Sequence, residues 1–143
     1  MTTSSEPETV EPRGGFFLNV VPALLYVGAV FYGGGMRGAV VRPPDVQFGD
    51  KILHAAAFAG MVFVLRRALM WLTPTWSLSR ILLVSACTST AVGGLLELYQ
   101  MALPHRSAEW LDFAADALGA ALAAGLLWRV SRSGAASSAS SAS

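Results

Sequence analysis

The chain is poor in most of the features that make a water-soluble protein legible. Only 13% of its 143 residues are charged, about half the share of a typical soluble domain, so water is not its expected principal solvent. Cysteine occurs once, at Cys87 inside an apolar run; no intramolecular disulfide can form, and the position reads as a small buried hydrophobe, not as a ligand or redox thiol. The ten Arg and Lys residues are scattered and the net charge is +1, which excludes the clustered basic face that nucleic acid requires. A secretory leader is missing from the pattern as well. The first apolar block follows Glu6, Glu8 and Glu11, with Arg13 as the only basic residue before it, and a leader needs a positive n-region.

What is present is apolar and continuous. Hydrophobic residues make up 54% of the chain and mean hydropathy is +0.53, carried in long blocks instead of the half-polar stripes of a surface helix. The uncharged stretch from Gly14 to Met36 is 23 residues long, too long for a leader core and suited to a spanning helix of about 20 residues. The expected fold is all-α: a polytopic bundle of four transmembrane helices at about 15–36, 50–72, 78–102 and 108–130. Polar segments 1–14 and 131–143 flank this domain and are expected to be disordered tails, since neither has the apolar surface to order itself. Pro43-Pro44, Pro74 and Pro104 fall between the blocks, where proline stops one helix without breaking another. Pro22 falls inside the first turns of helix one, where a missing N–H matters less and a kink can form.

With an even number of spans, both tails share a side with the loop between helices two and three. That side holds Arg13, Arg66, Arg67, Arg80, Arg129 and Arg132; the other holds Arg37, Arg42, Lys51 and Arg106. The positive-inside rule then predicts a multi-pass protein of the inner (plasma) membrane, surrounded by the lipid bilayer, with both termini cytoplasmic. Trp71, Trp76, Trp110 and Trp128 fall near helix ends, as interfacial anchors do. Ala115, Gly119 and Ala123 form a smooth stripe on helix four that suits close helix packing.

An ionisable side chain at mid-membrane costs about 2.5–3.5 kcal/mol on translocon scales, so each one calls for a partner or a watery cavity. Helix two opens with Asp50, Lys51 and His54, with Asp50 and His54 stacked one turn apart. Helix three ends with Glu97 and Gln100 on a common face. Helix four follows His105 and Arg106 and carries Asp112 and Asp116, again one turn apart. Alternating helix directions bring all three pairs to the non-cytoplasmic side. Asp116 lies roughly 12 Å into helix four and must face the bundle, not lipid. Such a cluster could pin the helices together as structural glue, hold a lipid phosphate, run acid/base chemistry or ligate a divalent cation. The cofactor stays open: Asp50-x3-His54 with distant carboxylates is compatible with Zn or Mn, but no HExxH or Cys motif favours metal. His105, beside Pro104, reads as a solvated loop residue.

The ordered set Asp50-Lys51-x-x-His54, Glu97-x-x-Gln100 and Arg106-x5-Asp112-x3-Asp116-x-x-Gly119, on a four-helix plan, resembles the VanZ-like family of small bacterial membrane proteins. The resemblance covers about residues 15–130. Two positions depart from the family pattern: Asp116 stands where Asn is usual, and Phe58 where Tyr is frequent, four residues after His54. The resemblance implies a role at the cell envelope, the namesake being linked to teicoplanin resistance, but brings no established reaction with it. The expected function is therefore binding or modifying a lipid-linked or phosphate-bearing envelope component. His54, Asp112, Asp116 and Glu97 are the candidate catalytic groups; Asp50, Lys51, Gln100 and Arg106 are the candidate ligand-binding groups. A structural scaffold is one alternative. Another is a small transporter or proton relay, for which four short helices would need to assemble as a homo-oligomer.

Overall fold

The computed structural model describes residues 15–36, 48–104 and 109–140, with side chains to Gly134. All regular structure among them is helical: α1 (Phe16–Asn19), α2 (Val21–Gly35), α3 (Gly49–Leu72), α4 (Leu78–Met101) and α5 (Trp110–Ser140). Four spans, Phe16–Gly35, Gly49–Leu72, Leu78–Met101 and Trp110–Gly134, are long and apolar enough to cross a membrane. The segment 1–14, with its expected disordered tail, lies outside the described residues.

The first span kinks at Val20, which stays in the helical region at φ −102°, ψ −44°. Pro22 has no N–H to offer Leu18 four residues back, and the chain turns through Val20, whose carbonyl accepts from Ala23 at 3.0 Å and Leu24 at 3.3 Å. The Leu18 carbonyl freed by proline accepts instead from Arg67 Nε at 3.0 Å. A side chain of α3 thus repairs the backbone defect in the first span. Ser77 caps α4, its hydroxyl accepting from the Arg80 N–H at 3.4 Å, which satisfies one orphan donor of that helix end. At the far end, α5 runs to Ser140, ten residues past the expected stop and through most of the expected tail. Ala135, Ala136 and Ala139 lie in this extension; alanine is the strongest helix former, no proline intervenes, and Gly134 alone weakens the run.

The surface is apolar where a soluble protein's would be polar, and the interior mixes apolar side chains with buried polar ones. Leu24, Leu25, Leu83, Leu98, Leu118, Leu122 and Leu126 are among many large apolar side chains on the outside, while Asn19, Ser85, Ser89, Glu97, Gln100 and Asp116 are buried. An apolar exterior of this extent suits hydrocarbon, and the buried polar groups sit where lipid cannot reach them. Cys87 joins the exterior, so it is a surface hydrophobe and not the buried one its apolar run suggested. The helices α3, α4 and α5 pack mutually, and α2 lies against α3 and α4. Close approach depends on small residues: a Cβ on Gly119 would collide with the Ala55 backbone of α3. Gly119 therefore allows α5 to lie directly on α3, the role expected of its stripe, and Ala120 and Ala123 continue the contact against Val62.

Charge separates along the bundle. Arg66, Arg67, Arg80, Arg129 and Arg132 lie toward one end, where Arg80 stacks on Trp76 at 4.3 Å and Arg132 on Trp128 at 4.7 Å from the ring centroids. All the described carboxylates, Asp50, Glu97, Glu109, Asp112 and Asp116, lie toward the other.

Candidate functional site

Three helices build the acidic end. The first two turns of α3 carry Asp50, Lys51 and His54, the last two turns of α4 carry Glu97 and Gln100, and the first two turns of α5 carry Asp112 and Asp116. Entry into α3 is set by Phe48, which takes a left-handed conformation with φ 64°. For a bulky residue this costs about 1–2 kcal/mol, and it sits two residues before the cluster begins.

The cluster has two tiers. In the first, the Lys51 ammonium bridges three carboxylates, at 2.7 Å from Asp50 Oδ2, 2.7 Å from Glu109 Oε2 and 2.5 Å from Asp112 Oδ1. It donates hydrogen bonds to Asp50 and Glu109, and its contact with Asp112 is an ion pair. Asp50 and Glu109 are half exposed, whereas Asp112 is mostly covered. Lys51 therefore ties the start of α3 to the start of α5.

Deeper in the bundle, His54 Nδ1 lies 2.9 Å from Oδ1 of Asp116, which is fully buried. Its other nitrogen, Nε2, faces Asp112 Oδ2 at 3.8 Å, beyond hydrogen-bond range. Glu97 completes this tier. Its Oε2 accepts the Glu109 N–H at 2.9 Å, tying the end of α4 to the entry of α5, while Oε1 is buried without a hydrogen-bond partner among the described residues. Asp116 Oδ2 is likewise buried and unpartnered. Gly93 makes room for this carboxylate, since a Cβ there would stand 2.7 Å from Oδ2. Donor atoms of His54, Glu97 and Asp116 all lie within 4.8 Å of one another, as do those of Asp50, Glu109 and Asp112.

The candidates named from the sequence thus divide. Asp50, Lys51, His54, Glu97, Asp112 and Asp116 converge. Gln100 is turned to another task, its amide donating to the Gly34 carbonyl at 3.2 Å and fastening α4 to α2. Arg106 and His105 lie outside the described residues. Phe58 packs under the site with Met61 and Leu96, and its carbonyl accepts from Ser89 at 3.0 Å. Two participants were not foreseen. Glu109 stands one turn before Asp112, and Gly93 one turn before Glu97; that helical spacing was the available signal for both. An apolar groove of about 520 Å³ between α4 and α5, lined by residues including Cys87, Gly94 and Phe113, holds no ionisable group besides the thiol and lies apart from this chemistry.

No protein-family profile, curated protein or solved structure matches the chain. The arrangement must therefore be interpreted through its own chemistry. An imidazole oriented through one nitrogen by a buried carboxylate, with the other nitrogen unbonded and beside a second carboxylate, is equipped to take up and return a proton.

Proposed function

We propose that the chain is a VanZ-like integral protein of the bacterial inner membrane that binds or modifies a lipid-linked or phosphate-bearing envelope component at this polar cluster, with His54 as its acid/base group. The observation that carries the proposal is the His54–Asp116 hydrogen bond, with Nε2 left 3.8 Å from Asp112. Asp116 orients the ring, Asp112 stands beside the working nitrogen, and the proton moves at Nε2. The opposed Arg and carboxylate ends of the bundle favour cytoplasmic termini and an outward-facing cluster. The order of Asp50, Lys51, His54, Glu97, Asp112 and Asp116 along the chain supports the family resemblance, and with it a link to glycopeptide resistance. Phosphate recognition falls to Arg106 in this scheme, because Lys51 already meets three carboxylates.

The Lys51 bridge favours a second role for the upper tier, as a clamp between α3 and α5 in a membrane scaffold. Teicoplanin susceptibility of cells carrying His54→Ala or Asp112→Asn, at parental protein levels, separates the two. Loss of the parental susceptibility profile in both variants supports acid/base function; an unchanged profile in both overturns it.

A further inference from the structure

The two tiers differ in how their negative charge is met. Around the upper carboxylates, the Lys51 ammonium occupies the position a cation would take. The lower trio has no lysine or arginine among its described partners, and its only basic group is His54. Two carboxylate oxygens, Glu97 Oε1 and Asp116 Oδ2, are buried there without a hydrogen bond, on residues that are 8% and 0% exposed. Burying such groups unpaired is expensive, and coordination of a metal is one of the few ways to satisfy them.

We propose that His54, Glu97 and Asp116 bind one divalent transition-metal cation of the Zn²⁺ or Mn²⁺ class, each contributing one donor atom. This deepens the proposal of proton chemistry at the cluster and rests on it: a His54 that ligates a metal no longer exchanges a proton itself, and in the loaded site that task would pass to metal-bound water. Donors within 4.8 Å of one another can share an ion at metal–ligand distances of about 2.0–2.4 Å. One imidazole nitrogen with two carboxylates selects a borderline cation over Ca²⁺ or Mg²⁺, which prefer oxygen alone. Three protein ligands leave a coordination position open for water or a substrate oxygen, and a metal there would lower the pKa of bound water. Gly93 keeps the Asp116 side of the trio clear of any side chain.

The test is Mn²⁺ titration of the full chain, purified in detergent and stripped with chelator, with free Mn²⁺ read by electron paramagnetic resonance. The expected result is one saturable site per chain, weakened at least tenfold by Glu97→Gln and by Asp116→Asn and unchanged by Asp50→Asn, with Zn²⁺ competing. No saturable binding to the parent overturns the inference, as does parental affinity in both folded variants. Should the variants fail to fold, pulsed resonance on the Mn²⁺-loaded His105→Gln protein decides: nitrogen coupling from His54 is expected, and its absence overturns the site. The functional proposal fails separately. If the parent binds no metal yet His54→Ala changes teicoplanin susceptibility, only the metal inference falls; if metal binds and susceptibility is unchanged, only the acid/base role falls.

Discussion

Gly119→Ala offers a way to disturb the site without touching any of its charged residues. The added Cβ would stand 2.7 Å from the Ala55 carbonyl carbon and 2.8 Å from its Cα, with the carbonyl oxygen closer still, where ordinary contact begins at 3.4 Å. These are backbone atoms of α3 and cannot rotate away, and relieving the closest of them, the carbonyl oxygen, requires α5 to retreat by about 1 Å or more. Overpacking of this kind costs about 1–3 kcal/mol, corresponding to a fall of several degrees in unfolding temperature for a chain of this size. The displacement occurs beside the working pair: Ala55 adjoins His54, and Asp116 lies one turn before Gly119. A retreat of about 1 Å along the pair axis would stretch its 2.9 Å hydrogen bond to about 3.9 Å, beyond useful range. Thermal unfolding in detergent and teicoplanin susceptibility should therefore fail together in Gly119→Ala. An unfolding temperature within about one degree of the parent, with parental susceptibility, would refute this account of how α5 is seated on α3.

Further expectations concern other parts of the fold. Arg67→Ala should destabilise by about 1–3 kcal/mol by leaving the Leu18 carbonyl without its donor, and Pro22→Ala, which restores a backbone N–H, should remove most of that cost in a double-mutant cycle; additive effects would exclude the repair. Lys51→Met should lower thermal stability chiefly through the mostly covered Asp112, so adding Asp112→Asn should recover most of the loss; no recovery would mean that the half-exposed Asp50 and Glu109 carry the effect. Cys87 should resist a membrane-impermeant maleimide in intact bilayers and react after denaturation, whereas rapid labelling in bilayers would place that face of α4 in water.

The fold was legible because hydrocarbon imposes a simple rule: only helices and closed barrels span it, and long continuous apolar blocks suit helices. Blocks beginning near Asp50 and Leu78 accordingly became α3 and α4 within a residue or two of the expected limits. The kink at Val20 was visible only as Pro22, because the donor that meets the freed Leu18 carbonyl is Arg67, 49 residues further along the chain. The run of α5 to Ser140 was obscured by a composition whose serines suggested disorder while its alanines favoured helix. At the site, one-turn spacing placed His54, Glu97, Asp112 and Asp116 at one end of the bundle. Periodicity gives a side chain's face but not its partner. That is why Gln100, on the same face as Glu97, was expected in the cluster and instead binds the Gly34 carbonyl, and why the Lys51 bridge to Glu109 became visible only once α3 and α5 were side by side.

The central claim is that His54 performs chemistry on an envelope component. Mass spectrometry of envelope lipids and lipid-linked precursors, in cells carrying the parent or His54→Gln at matched abundance, tests it most directly. At least one species should change in level with the parent chain and return, in the variant, to the level of cells lacking the protein. Identical profiles with parent and variant, both differing from cells without the protein, would contradict it and leave the cluster as a structural clamp.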